Sequence, residues 1–221
     1  MYKILILIII LFQDQLFATF MDEANKALSE KNVEKAIHFY ELSAREGEDE
    51  ANFALGKIYY LKKYQKTDLL KAFEYFQKAA DYEHVKAKYN LAILYSQKNF
   101  QKHSYSKAYE LFLGLAKQGY PNAQYMVGIY LMNGFGVEKD YSLSKNWFEE
   151  AYFKNDYNQA ACGIANIYAN GLGVIQNLGR ARKLSEKYIK DFSLCKKVFV
   201  EFKLYKDKYK DDKGFKFGYY R

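Results

Sequence analysis

Apolar and polar positions along the chain recur in blocks. Ala51, Ala87, Ala123 and Ala160 stand 36, 36 and 37 residues apart. Four residues after each comes an apolar side chain (Leu55, Leu91, Val127, Ile164). A small residue follows (Gly56, Ala92, Gly128, Ala165), and a bulky one closes the block (Tyr59, Tyr95, Leu131, Tyr168). A second series runs Ala36, Ala72, Ala108, Ser144, Ala181, at steps of 36, 36, 36 and 37. Three residues after each stands a large side chain: Phe39, Tyr75, Leu111, Trp147, Leu184. Small residues come further on at Ala44, Ala79, Ala80, Ala116 and Ala151. These spacings are those of amphipathic helices, so each period predicts two, helix A and then helix B. The small residues of helix A let helix B come close, and the large residues of the second series are expected to fill the space beside them. One such hairpin cannot bury its own apolar face, whereas stacked copies can. The first hairpin, residues 20–47, is shorter. Its helix A is expected from Phe20 to about Ser29, with a turn at Glu30, Lys31 and Asn32. Val198, Phe202, Tyr205 and Tyr209 recur at helical spacing and predict a capping helix to about residue 210.

Two loops, NGFGVEKD (133–140) and NGLGVIQN (170–177), have the look of phosphate cradles. A dinucleotide loop needs a preceding strand, and a nucleotide P-loop ends in Gly-Lys-Ser/Thr. Neither context is present. Glycine here is expected to end helix A in a left-handed conformation, with Asp140 starting helix B and Asp68 doing the same one unit pair earlier. The pattern A-x-x-x-L-G-x-x-Y-x-x-G-x-G-V-x-x-D-x-x-x-A-x-x-W/F-x-x-x-A resembles the Sel-1-like repeat, a relative of the tetratricopeptide repeat. Ala123, Gly128, Gly134, Gly136, Val137, Asp140, Trp147 and Ala151 carry it best. The fifth unit has Asn177 at the acidic position. The second and third replace the glycine loop by LKKYQKTD (61–68) and QKNFQKHS (97–104). The resemblance spans about residues 20–190. It implies an all-α, right-handed α/α superhelical solenoid of about five helical hairpins plus a C-terminal capping helix. The units are placed at about 20–50, 51–86, 87–122, 123–159 and 160–195, within an array at 19–195.

The N-terminus, MYKILILIIILFQDQLFATF, changes the picture of where the protein works. Lys3 precedes an apolar run from Ile4 to Phe12, polar residues follow, and Ala18 is a small residue at the break. This is a signal-peptide layout over residues 1–18, and nine apolar residues fall short of the about 20 that span a bilayer. Cleavage is expected after Ala18, into a periplasm or the exterior. The chain has 221 residues and a net charge of +8, with 17 Phe, 23 Tyr and one Pro, which argues against disorder. Lysine far outnumbers arginine, a composition that an AT-rich genome also produces. Residues 196–221 hold nine basic, four acidic and eight aromatic residues. They read as a cap followed by a solvated tail. Membrane contact by this tail is the lesser reading, and export argues against nucleic acid as a partner.

Candidate chemistry is sparse. Ser-x-x-Lys occurs at Ser104/Lys107, Ser142/Lys145 and Ser193/Lys196, but the partner motifs of serine penicillin-recognising enzymes are missing. Two of these serines sit at helix B starts, where serine is a natural N-cap. His38, His84 and His103 lack metal-ligand spacing. No catalytic residue, metal site or cofactor is assigned, and the reading is non-enzymatic, with a cell-wall or β-lactam hydrolase as the weaker class. An exported chain with two cysteines, Cys162 and Cys195, permits either a disulfide across neighbouring A helices or two buried thiols.

Transferring the tetratricopeptide register implies that helix A lines an inner groove with its third, seventh and tenth positions. The groove residues would be Phe53, Lys57, Tyr60, Tyr89, Ile93, Tyr125, Ile129, Met132 and Asn166. Such an aromatic and apolar surface suits a protein or peptide partner, although the third position could instead pack between hairpins. The expected function is a protein-binding scaffold. The resemblance also implies a sharper version, an immunity protein that binds a secreted toxin such as a lipase effector.

Overall fold

The computed structural model describes residues 20–202. Every regular element among them is helical. The helices are α1 (20–29), α2 (Val33–Arg45), α3 (Asp49–Tyr60), α4 (Leu69–Asp81), α5 (Val85–Ser96), α6 (Tyr105–Lys117), α7 (Pro121–Asn133), α8 (Tyr141–Glu149), α9 (Ala160–Asn170), α10 (Leu178–Tyr188) and α11 (Ser193–Glu201). Odd-numbered helices are the A type and even-numbered the B type, so the molecule is a solenoid of repeated helical hairpins. No described helix is long and apolar enough to cross a membrane. The signal-like segment 1–18 and everything expected beyond residue 202, including the capping helix from there to 210, lie outside the described residues.

The chain divides into two compact units, Met1–Leu111 and Phe112–Arg221. In the first, α2 packs on α3, α3 on α4 and α4 on α5. In the second, α7 packs on α8, α8 on α9, α9 on α10, and α11 against both α9 and α10.

Each B helix starts on the same device. Asn32, Asp68, Ser104, Asp140 and Asn177 lie 36, 36, 36 and 37 residues apart. Their side-chain oxygens accept from the amides of Lys35 (3.1 Å), Leu70 and Lys71 (3.0 Å), Lys107 (3.3 Å), Leu143 (2.8 Å) and Arg180 (2.8 Å). Such N-caps each contribute about 1 kcal/mol. Asparagine at 177 therefore keeps the role of the aspartate it replaces. A second bond repeats with them. The amides of Asp68, Ser104, Asp140 and Asn177 donate back to the carbonyls of Tyr59, Tyr95, Leu131 and Tyr168 at 2.8–3.1 Å. These four loops from helix A to helix B thus close in one way, although their sequences differ. Gly134 (φ 74°) and Gly171 (φ 65°) end α7 and α9 in the left-handed region, as expected from the glycine loops. The loop of the second repeat has Gln65 at φ 58° instead. The third is anchored by Phe100, which is buried against Phe73 at 5.7 Å.

The core corrects the expected knobs. Phe39, Tyr75, Leu111, Trp147 and Leu184 are only half-buried. The buried rings stand one residue later, at Tyr40, Phe76, Phe112 and Phe148. With the series at 36, 72, 108 and 144, they form an i, i+4 stripe facing helix A, and the i+3 residues fall on its flank. The small residues of helix A receive these rings directly. A Cβ on Gly56 would lie 2.5 Å from Phe76, and one on Gly128 would lie 2.6 Å from Phe148. Ser144, which replaces alanine in the series, is buried and donates to the carbonyl of Gly128 at 2.7 Å.

The step of 37 residues also has a structural counterpart. α8 runs into a π-helical turn, Glu150–Lys154, after which the Tyr157 amide donates to the carbonyl of Ala151 at 2.9 Å. A widened turn of this kind takes up one surplus residue, so α9 starts in register with the preceding A helices.

Candidate functional site

Burial divides the expected groove residues by repeat position. At the third position, Phe53 is 5% exposed and Tyr125 9%, and Cys162 is fully buried. Phe53 stacks on His84 at 4.5 Å and tilts against Phe76 at 5.9 Å. Tyr125 meets Phe148 at 5.6 Å and Tyr157 at 5.5 Å, and its hydroxyl accepts from Gln159 Nε2 at 3.3 Å. Burial pushes the Tyr125 phenol above its ordinary pKa. These side chains pack between hairpins, which corrects the groove reading for Phe53 and Tyr125. An aromatic ring on a tightly stacked helix is placed where water exclusion is greatest. Tyr89, at the same position in α5, is half-buried.

The residues expected at the seventh and tenth positions meet solvent. In the first unit, Lys57 is exposed with its ammonium 5.4 Å from the Phe53 ring centroid. Tyr60 is half-buried and its hydroxyl accepts from Gln97 Nε2 at 3.2 Å, with Ile93 half-buried on α5. In the second unit, Ile129 and Met132 lie half-buried over the Phe148 cluster. Asn166 Nδ2 donates to Met132 Sδ at 3.4 Å, and Asn170 Nδ2 donates to Asn166 Oδ1 at 3.0 Å. Each unit therefore presents a small patch of mixed apolar and amide groups along its A helices.

Several polar contacts join residues about one repeat apart, and the sequence pattern alone did not reveal them. Besides Tyr60–Gln97 and Tyr125–Gln159, His84 links to Glu50 (3.0 Å) and Tyr75 to Glu41 (3.3 Å). His84 Nδ1 accepts the Ala87 amide at 3.1 Å and so caps α5, which leaves Nε2–H to donate to Glu50. A shallow cleft of about 430 Å³ opens beside Tyr75, lined by Glu41, Arg45, Asn52, Lys78 and Tyr82.

Burial, with Glu41 and Tyr59 adding to it, pushes the Tyr75 phenol up to about 12. Below pH 10 the phenol keeps its proton in both the folded and the unfolded chain. Between about 10 and 12 only the unfolded chain releases it, so rising pH favours unfolding across that window. Thermal melts are expected to show a shallower alkaline decline for Tyr75→Phe than for the wild type. Equal slopes would remove Tyr75 as a cause.

The serine–lysine pairs have structural roles. Ser104 caps α6 through the Lys107 amide. Ser142 does not cap α8: Asp140 does, and Lys145 binds Glu149 at 2.8 Å. Ser193 opens α11. Among the described residues, no group of His, Cys, Asp and Glu could hold a metal ion. Cys162 on α9 and Cys195 on α11 form a disulfide, with Cα atoms 4.7 Å apart and both side chains fully buried.

Comparison with known proteins places these features. The Sel1 repeat matches the chain at residues 27–48, 49–81, 85–120, 121–152 and 158–187. Among solved structures, a Sel1 repeat protein from Oxalobacter formigenes aligns with a TM-score of 0.62 and 22% identity, covering 77% of this chain and 71% of that one. A second, from Klebsiella pneumoniae subsp. pneumoniae, aligns with a TM-score of 0.52 and 16% identity, covering 85% and 93%. At these identities the likeness is one of fold. No curated protein matches the chain. Five matched stretches, laid over hairpins whose caps and buried rings recur at the same interval, mean that this chain belongs to the Sel1 repeat family.

Proposed function

We propose that the protein is a non-enzymatic, exported scaffold that binds a protein or peptide through the exposed positions of its A helices. Sel1 repeat proteins generally act in protein–protein interaction, and their fold is typically a non-enzymatic scaffold. The observation that carries the reading is the placement of Lys57, Tyr60 and Ile93 in one unit, and Ile129, Met132 and Asn166 in the other. These residues stay partly open to solvent on helices whose opposite faces are fully packed. Partly exposed apolar groups rimmed by amides suit a protein partner more than a small polar substrate. Export is supported by the signal-like start of the sequence and by the disulfide, since such bonds persist in oxidising compartments.

The test is affinity capture with the wild-type protein and with Ile93→Glu and Ile129→Glu. A partner retained by the wild type and lost by both variants is expected, with circular dichroism showing that each variant is still folded at the capture temperature although its midpoint is lowered. A partner held equally by all three would move the binding surface elsewhere. The narrower reading, neutralisation of a secreted toxin, requires that partner to be a toxin whose activity falls on binding.

A further inference from the structure

The cleft beside Tyr75 in the first unit holds groups that the A-helix patches do not use. Its volume of about 430 Å³ is bounded by Arg45 of α2, Gly47, Asn52 of α3, Tyr75 and Lys78 of α4, and Tyr82. That size lies within the usual range of ligand sites, about 300–1,000 Å³.

One lining residue is a buried amide with an unused acceptor. Asn52 is 4% exposed, and its Nδ2 donates to the Glu48 carbonyl at 3.3 Å. Its Oδ1 accepts from no group among the described residues. The second unit shows the same place filled. There Gln124 stands at the position of Asn52, and Asn155 at that of Tyr82. Asn155 Nδ2 donates to Gln124 Oε1 at 3.0 Å. In the first unit Tyr82 has no such amide to offer and is 63% exposed. Buried polar atoms are nearly always hydrogen-bonded, so the Asn52 oxygen calls for a donor from outside these residues.

Charge narrows what that donor is attached to. Arg45 and Lys78 are exposed, and neither has an acidic partner among the described residues. Glu41 stands one turn before Arg45, yet it accepts the Tyr75 hydroxyl at 3.3 Å instead. The Lys78 ammonium lies 5.3 Å from the Tyr75 ring centroid. The lining thus sets two uncommitted cations against one engaged carboxylate. Arg45 is the only arginine before Arg180 in a chain rich in lysine. Its planar fork matches a carboxylate, whereas lysine is only a point charge.

We propose that this cleft binds an acidic segment of a peptide. The carboxylate of its Asp or Glu meets Arg45, and Lys78 adds charge. A main-chain N–H of the segment donates to Asn52 Oδ1, and the exposed Tyr82 ring covers an apolar part. A free carboxylate would leave Asn52 without its donor, so a peptide fits better than a small anion. The cleft shares no residue with the patch of Lys57, Tyr60 and Ile93, so the two sites can fail independently.

The test titrates the isotope-labelled full chain with acetyl-Ala-Glu-Ala-amide and follows its signals by NMR. Saturable shifts are expected at the Asn52 side-chain amide and around Tyr82. Acetyl-Ala-Gln-Ala-amide and sodium acetate are expected to bind about tenfold more weakly, since each lacks one of the two contacts. Arg45→Gln is expected to weaken the Glu peptide about tenfold, and Lys78→Gln about threefold. Both side chains are exposed, so the spectra of the variants otherwise match the wild type. Shifts absent from Asn52 and Tyr82, or wild-type affinity in Arg45→Gln, overturn the proposal. So does equal affinity for the Gln peptide or for acetate, the latter assigning the cleft to free carboxylates. The ligand comparisons use the wild-type protein and stand whatever the variants do.

Discussion

Phe148→Ala is expected to cost about 3–5 kcal/mol of stability, the range for emptying a large aromatic site. The ring is fully buried and lies between two helix backbones. A Cβ on Gly128 of α7 would stand 2.6 Å from it, and one on Gly163 of α9 would stand 2.7 Å away. Both glycines are needed because the ring occupies the room a side chain would take. Truncating it leaves a void that neither helix can fill from its own side chains. Urea unfolding measures the loss, and a cost below about 1 kcal/mol would show that the site collapses freely. A double-mutant cycle sharpens the point. Gly128→Ala alone overpacks the site at a cost of about 1–3 kcal/mol. Combined with Phe148→Leu it costs less than the two single changes added, since the smaller side chain yields the space.

Opening the Cys162–Cys195 bridge has an effect of similar size. It closes a loop of sequence separation 33, which on the chain-entropy model stabilises by about 3.7 kcal/mol. The bridge joins α9 to α11, and α11 otherwise holds on through Val198, Phe199 and its packing with α10. Cys162→Ala with Cys195→Ala is expected to lower the urea midpoint, with amide exchange quickening first in α11. Because both sulfurs are fully buried, reductant should act on the native protein only as slowly as local opening allows. An unchanged midpoint in the double variant would mean that packing alone fixes α11.

Much of the architecture was legible because repetition amplifies weak signals. Asp68 alone is an ordinary turn residue, but with Asp140 at the matching place two periods on it marks where a B helix begins. Register within the helix was less accessible. Tyr75 and Phe76 are both aromatic, and composition does not say which one faces Gly56. The answer depends on how deeply the two helices interlock, a tertiary property. The third position of helix A failed for the same reason: Phe53 and Tyr125 look like ligand-facing aromatics until His84 and Tyr157, from the next hairpin, cover them. His84 caps α5 locally by accepting the Ala87 amide. Its bond to Glu50 spans 34 residues and follows only from stacking. The π turn after α8 was visible as an interval of 37, though an interval cannot say where the extra residue is stored.

The amide-to-carbonyl bond that ends four of the loops from helix A to helix B uses main-chain atoms alone. Of the twenty residues, only proline at 68, 104, 140 or 177 would abolish it. What lies between its two ends is thereby freed from keeping one sequence, and each loop supplies its own anchor, Phe100 in one and a left-handed glycine in others. Drift can rewrite such a segment, from LKKYQKT to NGFGVEK, while the hairpins around it stay as they are. Novelty in this molecule is thus free to accumulate at the rim wherever a loop sends no side chain into the interior.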